Sequence, residues 1–286
     1  MGAPGEADDL RKYPRTRHLE GSRFQPGDED LASVPFAELA GRPLVVEEKV
    51  DGANVGIAFD GRGELRLQSR GHHLRGGGRE EQFDLFKTWA RTHAPAFEER
   101  LGARYVVYGE WLYAKHTVFY DLLPHYFLEF DVLDRERDVF LGTPERRALL
   151  AGLPVASVSV LWSGTVARRA APPSKPAPRV ASLEDLRALI GPSLAKSPAW
   201  RAALEAEAAT AGVPLERAWT ETDRSDLMEG LYLKVEEGGV VTDRFKLVRA
   251  DFLQAILASG THWQDRRLVP NRLREGVDLF APELAP

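Results

Sequence analysis

An α+β fold built on an antiparallel sheet is what this sequence predicts, and three observations predict it. Five segments rich in Val, Leu, Tyr and Phe read as strands. The first two are joined by Asp60–Glu64, a turn short enough for a hairpin and too short for a helical crossover. The helical patterns sit in groups between strands instead of alternating with them, which disfavours a βαβ arrangement.

Residues 1–12 are small and polar and read as disordered. "LVVEEKVDGANVGIAF" (44–59) opens the sheet, and Gly52 breaks it directly after Asp51. "ELRLQSRG" (64–71) follows the turn. In "REEQFDLFKTWARTHAPAFEERLG" (79–102) the period changes: Phe83, Phe86 and Trp89 recur at helical spacing behind acidic residues and belong to the core. "ARYVVYGEWLY" (103–113) and "HYFLEFDVLD" (125–134) return to strand character. Ser163–Ser182, dense in Pro, Ala and basic residues, reads as a loop. Two helices follow, "LEDLRALIG" and "SPAWRAALEAEAATAG", opened by Ser182 and Ser197 as caps. Together these form a helical insert spanning about 163–226. "GLYLKVEEGGVVTDRFKLVR" (230–249) completes the sheet, "ADFLQAILASG" reads as one more helix, and the tail places Trp263 among basic residues.

Composition narrows the chemistry. The chain has 286 residues and no cysteine, which removes disulfides, thiolate metal sites and thiol catalysis. It opens without a signal-peptide core and holds no apolar run of membrane-spanning length, so a cytoplasmic address without membrane contact is expected. A formal charge of −5 disfavours general polyanion coating but leaves room for a local basic groove. "SRGHHLRGGGR" (69–79) and "DRRLVPNRLR" (265–274) are such basic runs. "RGGGR" lacks the spacing and the Lys-Ser/Thr of a P-loop and reads as a loop near the nucleic-acid end.

Charge inside the first strand is the strongest functional signal. Strand alternation puts Lys49 and Asp51 on one face and Val46, Glu48 and Val50 on the other. Gly52 then lets a ligand approach the backbone, and Asn54 adds both donor and acceptor groups. The series Lys49-x-Asp51-Gly52, "SRG" (69–71), "YGEW" (108–111), "FLEFDVLD" (127–134), "EGLYLK" (229–234) and "RFKLVR" (244–249) resembles, in order, the motifs of the covalent nucleotidyltransferases. These are the polynucleotide ligases and mRNA capping enzymes, and the resemblance is narrowest to the T4 RNA ligase 2-like branch. It covers most of the chain from Arg42 to Phe252.

The resemblance implies a nucleotidyltransferase domain over 13–252, with residues 253–286 too short for the OB-fold that DNA ligases and capping enzymes append. It implies ATP as cofactor with Mg²⁺ or Mn²⁺. Lys49 would be the nucleophile, with Asp51, Lys234 and Lys246 as catalytic partners. Glu48, Asn54, Arg70, Glu110 and Phe130 would join the two lysines in binding the nucleotide: Glu48 at the adenine, Arg70 and Glu110 near the ribose, Phe130 stacked on the base. Glu229 and Asp131 would serve the metal. Nucleophilic attack needs a neutral amine, so the Lys49 pKa is expected to fall through burial and the neighbouring cations Lys234 and Lys246. The last motif is loose, since Leu247 and Val248 follow Lys246 where a second lysine is usual. The second position is then unfilled unless Arg244 or Arg249 substitutes, and the roles of the two arginines stay open. "HLEGSR" (18–23) also looks like family sequence. The expected activity is joining of RNA 3′-OH and 5′-phosphate ends in RNA repair, with a separate end-processing protein as a partner. Two alternatives share these residues: a DNA nick-sealing ligase and a non-catalytic nucleotide or nucleic-acid binder. A protein kinase is set aside because H-R-D and D-F-G motifs are missing.

Overall fold

The computed structural model describes residues 10–24, 28, 32–168, 179–252 and 267–283. Its strands are β1 (Arg17–Leu19), β2 (Ser33–Val34), β3 (Pro43–Lys49), β4 (Ala53–Phe59), β5 (Leu65–Ser69), β6 (Tyr105–Trp111), β7 (Phe127–Asp134), β8 (Val139–Leu141), β9 (Ala156–Ser157), β10 (Val160–Thr165), β11 (Gly230–Glu237) and β12 (Val240–Val248). Its helices are α1 (Asp84–Thr92), α2 (Ala94–Leu101), α3 (Thr143–Leu150), α4 (Leu183–Arg187), α5 (Trp200–Thr210) and α6 (Leu215–Thr220). The main sheet path runs β10-β3-β11-β12-β8-β7-β6-β4-β5, with β1, β2 and β9 added at its sides. Every pairing along that path is antiparallel. The α+β expectation holds. None of the described helices is long and apolar enough to cross a membrane.

Strand alternation sorts each half of this sheet into an apolar and a polar face. In β3, β11 and β12, Leu44, Val46, Leu231, Leu233, Phe245 and Leu247 form one core cluster with Trp162 and Leu186. The intervening residues Glu47, Lys49, Tyr232, Lys234, Arg244 and Lys246 point the other way. In β4 to β7, Val55, Ile57, Val107 and Phe127 pack against Phe86, Trp89 and Phe97 of α1 and α2. The expected core aromatics Phe83, Phe86 and Trp89 are therefore buried as predicted.

Several sequence expectations need correction. The segment 44–59 is two strands: β3 pairs with β10 and β11, whereas β4 pairs with β5 and β6. The chain thus leaves one half of the sheet at Val50 and enters the other at Ala53, and Lys49 stands at that crossing. The long helix breaks into a 3₁₀ turn, Gly78–Phe83, and then α1 and α2, with a proline in the first turn of α2. The loop starts later than Ser163, because β10 continues to Thr165 to cover the edge of β3. Ser182 caps α4, accepting from the Asp185 N–H at 3.1 Å. Ser197 does not cap α5; the N-cap is Ala199, and the Ser197 hydroxyl donates to Asp121. Leu10–Lys12 is anchored, since the Arg11 carbonyl accepts from Gln68 at 2.8 Å and from Tyr108 at 2.6 Å. The expected disorder of 1–9, the helix from 253 and the position of Trp263 lie outside the described residues.

Candidate active site

A cavity of about 770 Å³ opens where the two halves of the sheet diverge. Nine of the eleven residues singled out from the sequence line it: Glu48, Lys49, Asp51, Asn54, Arg70, Glu110, Phe130, Glu229 and Lys246. The register explains the convergence. Lys49 is the Cα partner of Gly230, next to Glu229, and Asn54 is the partner of Glu110. Gly230 and Gly52 are required by contact: a Cβ on Gly230 would strike the Leu247 carbonyl oxygen, and one on Gly52 would lie 2.8 Å from the Trp111 carbonyl oxygen.

Lys49 is paired rather than free. Its Nζ donates to Glu229 Oε2 at 2.7 Å, and Glu229 is only 1 % exposed. Burial pulls the Lys49 pKa down, but Glu229, its hydrogen bond, and the charges of Glu110 and Asp51 together raise it above the ordinary value. This corrects the expectation of a depressed pKa: three carboxylates, and not two lysines, dominate the amine's surroundings. Those carboxylates carry a matching penalty. Burial, together with Asp51 and Glu229, pushes the Glu110 carboxyl up to about 8 against the relief supplied by Lys49.

Asp51 is a scaffold element here. Its Oδ2 accepts the backbone N–H groups of Thr117 and Val118 at 2.7 and 2.9 Å, and its own N–H donates to the Tyr120 hydroxyl. It therefore fixes the backbone on which His116, another cavity residue, is carried. Glu48 accepts from Ser193 Oγ at 2.6 Å and from the Leu194 N–H at 3.2 Å, and burial raises its pKa. A carboxylate has spare lone pairs, so Glu48 can still accept from a ligand. Asn54 Oδ1 is buried without a hydrogen-bond partner, an orphan of the kind a ligand donor satisfies. Arg70 is exposed at the rim. Phe130 packs against Tyr13 at 5.1 Å and Tyr232 at 6.2 Å between ring centroids.

Lys234 and Asp131 are not cavity residues, which corrects the phosphate and metal roles expected of them. Lys234 is fully buried, 2.8 Å from Glu47 and 3.6 Å from Asp131, and its Nζ donates to the Phe130 carbonyl. Asp131 accepts from Tyr13 at 2.5 Å and from Arg244 at 2.8 Å. With Arg146 bridging Glu47 at 2.9 Å and Glu129 at 2.7 Å, three carboxylates and three cations close a neutral network behind the cavity wall, which it meets at Glu47. Neither arginine fills the missing lysine position: Arg244 lies over the Phe140 ring at 3.9 Å, and Arg249 pairs with Asp223 and donates to the Met228 carbonyl. Lys246 alone of that motif reaches the cavity, where burial lowers its pKa although Asp28 opposes the shift.

Sequence reasoning missed Tyr13, Asp28, His116, Tyr120 and Ser193. His18, inside the "HLEGSR" stretch, turns out to serve Lys246: it bonds Ser22 and Asp28, and Asp28 pairs with Lys246. The second basic run is partly neutralised, with Arg272 bound to Glu207 at 2.6 Å. Asn271 in the same run is a buried strut that accepts from the Tyr120 N–H and donates to the Leu112 carbonyl.

For a divalent ion the donor chemistry fits in part. Glu229, Glu110 and Asp51 supply hard oxygen ligands, with Lys49 the ammonium that Glu229 holds in hydrogen-bond contact. Among the described residues no three such groups stand close enough to cage an ion directly. That pattern suits Mg²⁺-type binding through one or two carboxylates, waters and substrate phosphates.

Among solved structures, the chain is similar to the Naegleria gruberi RNA ligase with PPi, at 17% identity over 86% of this chain and 61% of that one (TM-score 0.47). It is likewise similar to an archaeal ATP-dependent RNA ligase, at 18% identity over 84% and 48% (TM-score 0.47). A variant of the Naegleria gruberi enzyme with ATP and Mn matches at 16% identity over 74% and 50% (TM-score 0.46). The chain thus covers between 48% and 61% of the length of these ligases. No curated protein matches it. The RNA ligase family matches residues 42–248, the stretch that carries every motif of the cavity. The chain belongs to the RNA ligase family.

Proposed function

We propose that this protein joins RNA 3′-OH and 5′-phosphate ends in an ATP-dependent reaction through a lysyl-AMP intermediate. The observation that carries this reading is Lys49 itself, a lysine amine in a polar cavity ringed by carboxylates, with Lys246 beside it and Phe130 on the wall. The order of motifs along the chain supports the T4 RNA ligase 2-like branch.

In the first step the Lys49 amine attacks the α-phosphorus of ATP. A P–N bond forms, the bond to the bridging oxygen breaks, and pyrophosphate leaves. Glu229, in hydrogen-bond contact with Nζ, holds the amine in place and can accept its proton. Lys246 exchanges the Asp28 carboxylate for phosphate oxygens and stabilises the charge that builds on them. Asn54 and Glu110 meet the ribose, and Phe130 packs on the base. Bound Mg²⁺ or Mn²⁺ would supply positive charge at the phosphates and compete with the Lys49 ammonium for Glu229. In the second step a 5′-phosphate oxygen attacks the AMP phosphorus and Lys49 leaves. In the third a 3′-hydroxyl attacks the activated 5′-phosphate, forming the phosphodiester and releasing AMP.

Exposed Arg70 puts positive charge at the rim for an RNA backbone, and Arg75, five residues on, is exposed as well. The helical part of the insert supplies none in net terms: residues 183–226 carry eight carboxylates against five Lys and Arg, and the other four cations of the insert lie ahead of it in 163–182. Incubation of 5′-phosphorylated RNA with ATP and Mg²⁺ or Mn²⁺ tests the proposal. Ligated or circular product supports it, and product lost when the terminal 3′ nucleotide lacks its 2′-OH separates it from DNA nick sealing. ATP binding without adduct or product would instead leave a non-catalytic binder.

A further inference from the structure

Three hydroxyls in the cavity wall form a chain that ends on a buried carboxylate. Thr16 Oγ1 lies 2.8 Å from the Tyr232 hydroxyl, which lies 2.8 Å from the Tyr13 hydroxyl, and Tyr13 donates to Asp131 at 2.5 Å. An ionised carboxylate only accepts, and a hydroxyl carries one hydrogen. Despite burial, Lys234, Arg244 and Arg146 hold the Asp131 pKa below the usual carboxylate value, while burial and Asp131 raise that of Tyr13. The direction of the chain is then set from its buried end. Tyr13 spends its hydrogen on Asp131, so its oxygen accepts from Tyr232. Tyr232 has then given its own, so it accepts from Thr16. Thr16 is left facing the cavity with lone pairs and no hydrogen. All three residues line the cavity together with Phe130.

We propose that Thr16 selects the nucleobase. Its hydroxyl, locked as an acceptor by Tyr232, Tyr13 and Asp131, takes a hydrogen bond from the exocyclic amino group of adenine. It repels the carbonyl oxygen that guanine and hypoxanthine carry at the same ring position. This rests on the reading above that the ATP base packs at Phe130. No part of it was visible in the sequence, because Thr16, Tyr232 and Asp131 meet only through the fold.

Equilibrium binding separates this inference from the ligase reading, since it needs no chemistry. Calorimetry would compare AMP, IMP, purine riboside 5′-monophosphate and 2′-deoxy-AMP on the wild type and on Thr16→Val, Thr16→Ser and Tyr13→Phe. The wild type is expected to bind AMP about tenfold more tightly than purine riboside monophosphate, the worth of one hydrogen bond, with a larger penalty for IMP. Thr16→Val should lower the first ratio severalfold, leaving only what Glu48 supplies at the adenine, and Thr16→Ser should restore it. Tyr13→Phe should shrink the IMP penalty with Thr16 still present, because the freed chain can reverse and donate; a merely structural Tyr13 would not do that. Unchanged base ratios in Thr16→Val, or a loss confined to the 2′-deoxy comparison, would overturn the proposal. So would equal affinity of the wild type for all four nucleotides, or no affinity. RNA joining by a protein showing any of these would leave the ligase reading standing and this one refuted.

Discussion

Replacing Lys234 with Met should destabilise the protein while leaving its cavity wall intact. Lys234 is completely buried, and its ammonium lies 2.8 Å from Glu47 and 3.6 Å from Asp131. The six groups Glu47, Glu129, Asp131, Arg146, Lys234 and Arg244 sum to zero, so the substitution strands one negative charge in a water-excluded layer. Breaking such a pair from one side costs about 3–5 kcal/mol, a large share of the roughly 5–15 kcal/mol that holds a domain folded. Urea unfolding followed by the fluorescence of the six tryptophans would read it. Glu47→Gln on top of Lys234→Met restores neutrality, so the double variant should lie about 1–3 kcal/mol above the sum of the singles. By contrast, Lys246→Met should weaken nucleotide binding strongly with less effect on unfolding, because that lysine faces the cavity. A loss under about 1 kcal/mol for Lys234→Met, or strict additivity of the pair, would refute the neutral-network argument. It would also return Lys234 to the phosphate role first expected of it.

Glu110→Gln should stabilise the nucleotide-free protein more at pH 9 than at pH 5. The folded carboxyl titrates near 8 against an ordinary value of 4.5, so the folded state binds the extra proton between those values. Stability is lost as pH rises through that window, by a few kcal/mol at most. The uncharged amide escapes the loss, and melting temperatures at the two pH values would show it. Gly52→Ala should cost about 1–3 kcal/mol and abolish adenylylation. Its Cβ would sit 2.6 Å from Leu112 Cδ2 and 2.9 Å from Glu110 Cγ, displacing the carboxylate beside Lys49; thermal unfolding and adduct yield would check both parts.

Local pattern made the strands, the core aromatics of α1 and the Ser182 cap legible, because each depends on residues close in sequence. The site was legible for a related reason: its motifs stand at strand ends, and antiparallel pairing brings strand ends together. Depth was not legible. Lys234 and Lys246 sit on the same face of adjacent strands with similar sequence surroundings, yet one lies behind the cavity wall and the other in it. The register separates them: Lys246 pairs with the cavity residue Tyr232, whereas Lys234 lies two residues further along β11, opposite Arg244, where α3 delivers Arg146 to Glu47. The state of Lys49 was misjudged for the same cause, since Glu229 at 2.7 Å outweighs the more distant cations. Tyr13 and Asp28 reach the cavity through the parallel pairing of β1 with β12, a contact across more than two hundred residues that no local signal announces.

The central claim is that Lys49 forms a covalent bond to AMP. Intact mass after incubation with ATP and Mg²⁺ or Mn²⁺, beside the Lys49→Ala variant, tests it most directly. The account predicts an AMP-sized increase on the wild type, mapped to the peptide holding Lys49 and missing from the variant. An unmodified wild type that still binds ATP, or an adduct that survives in Lys49→Ala, would contradict it.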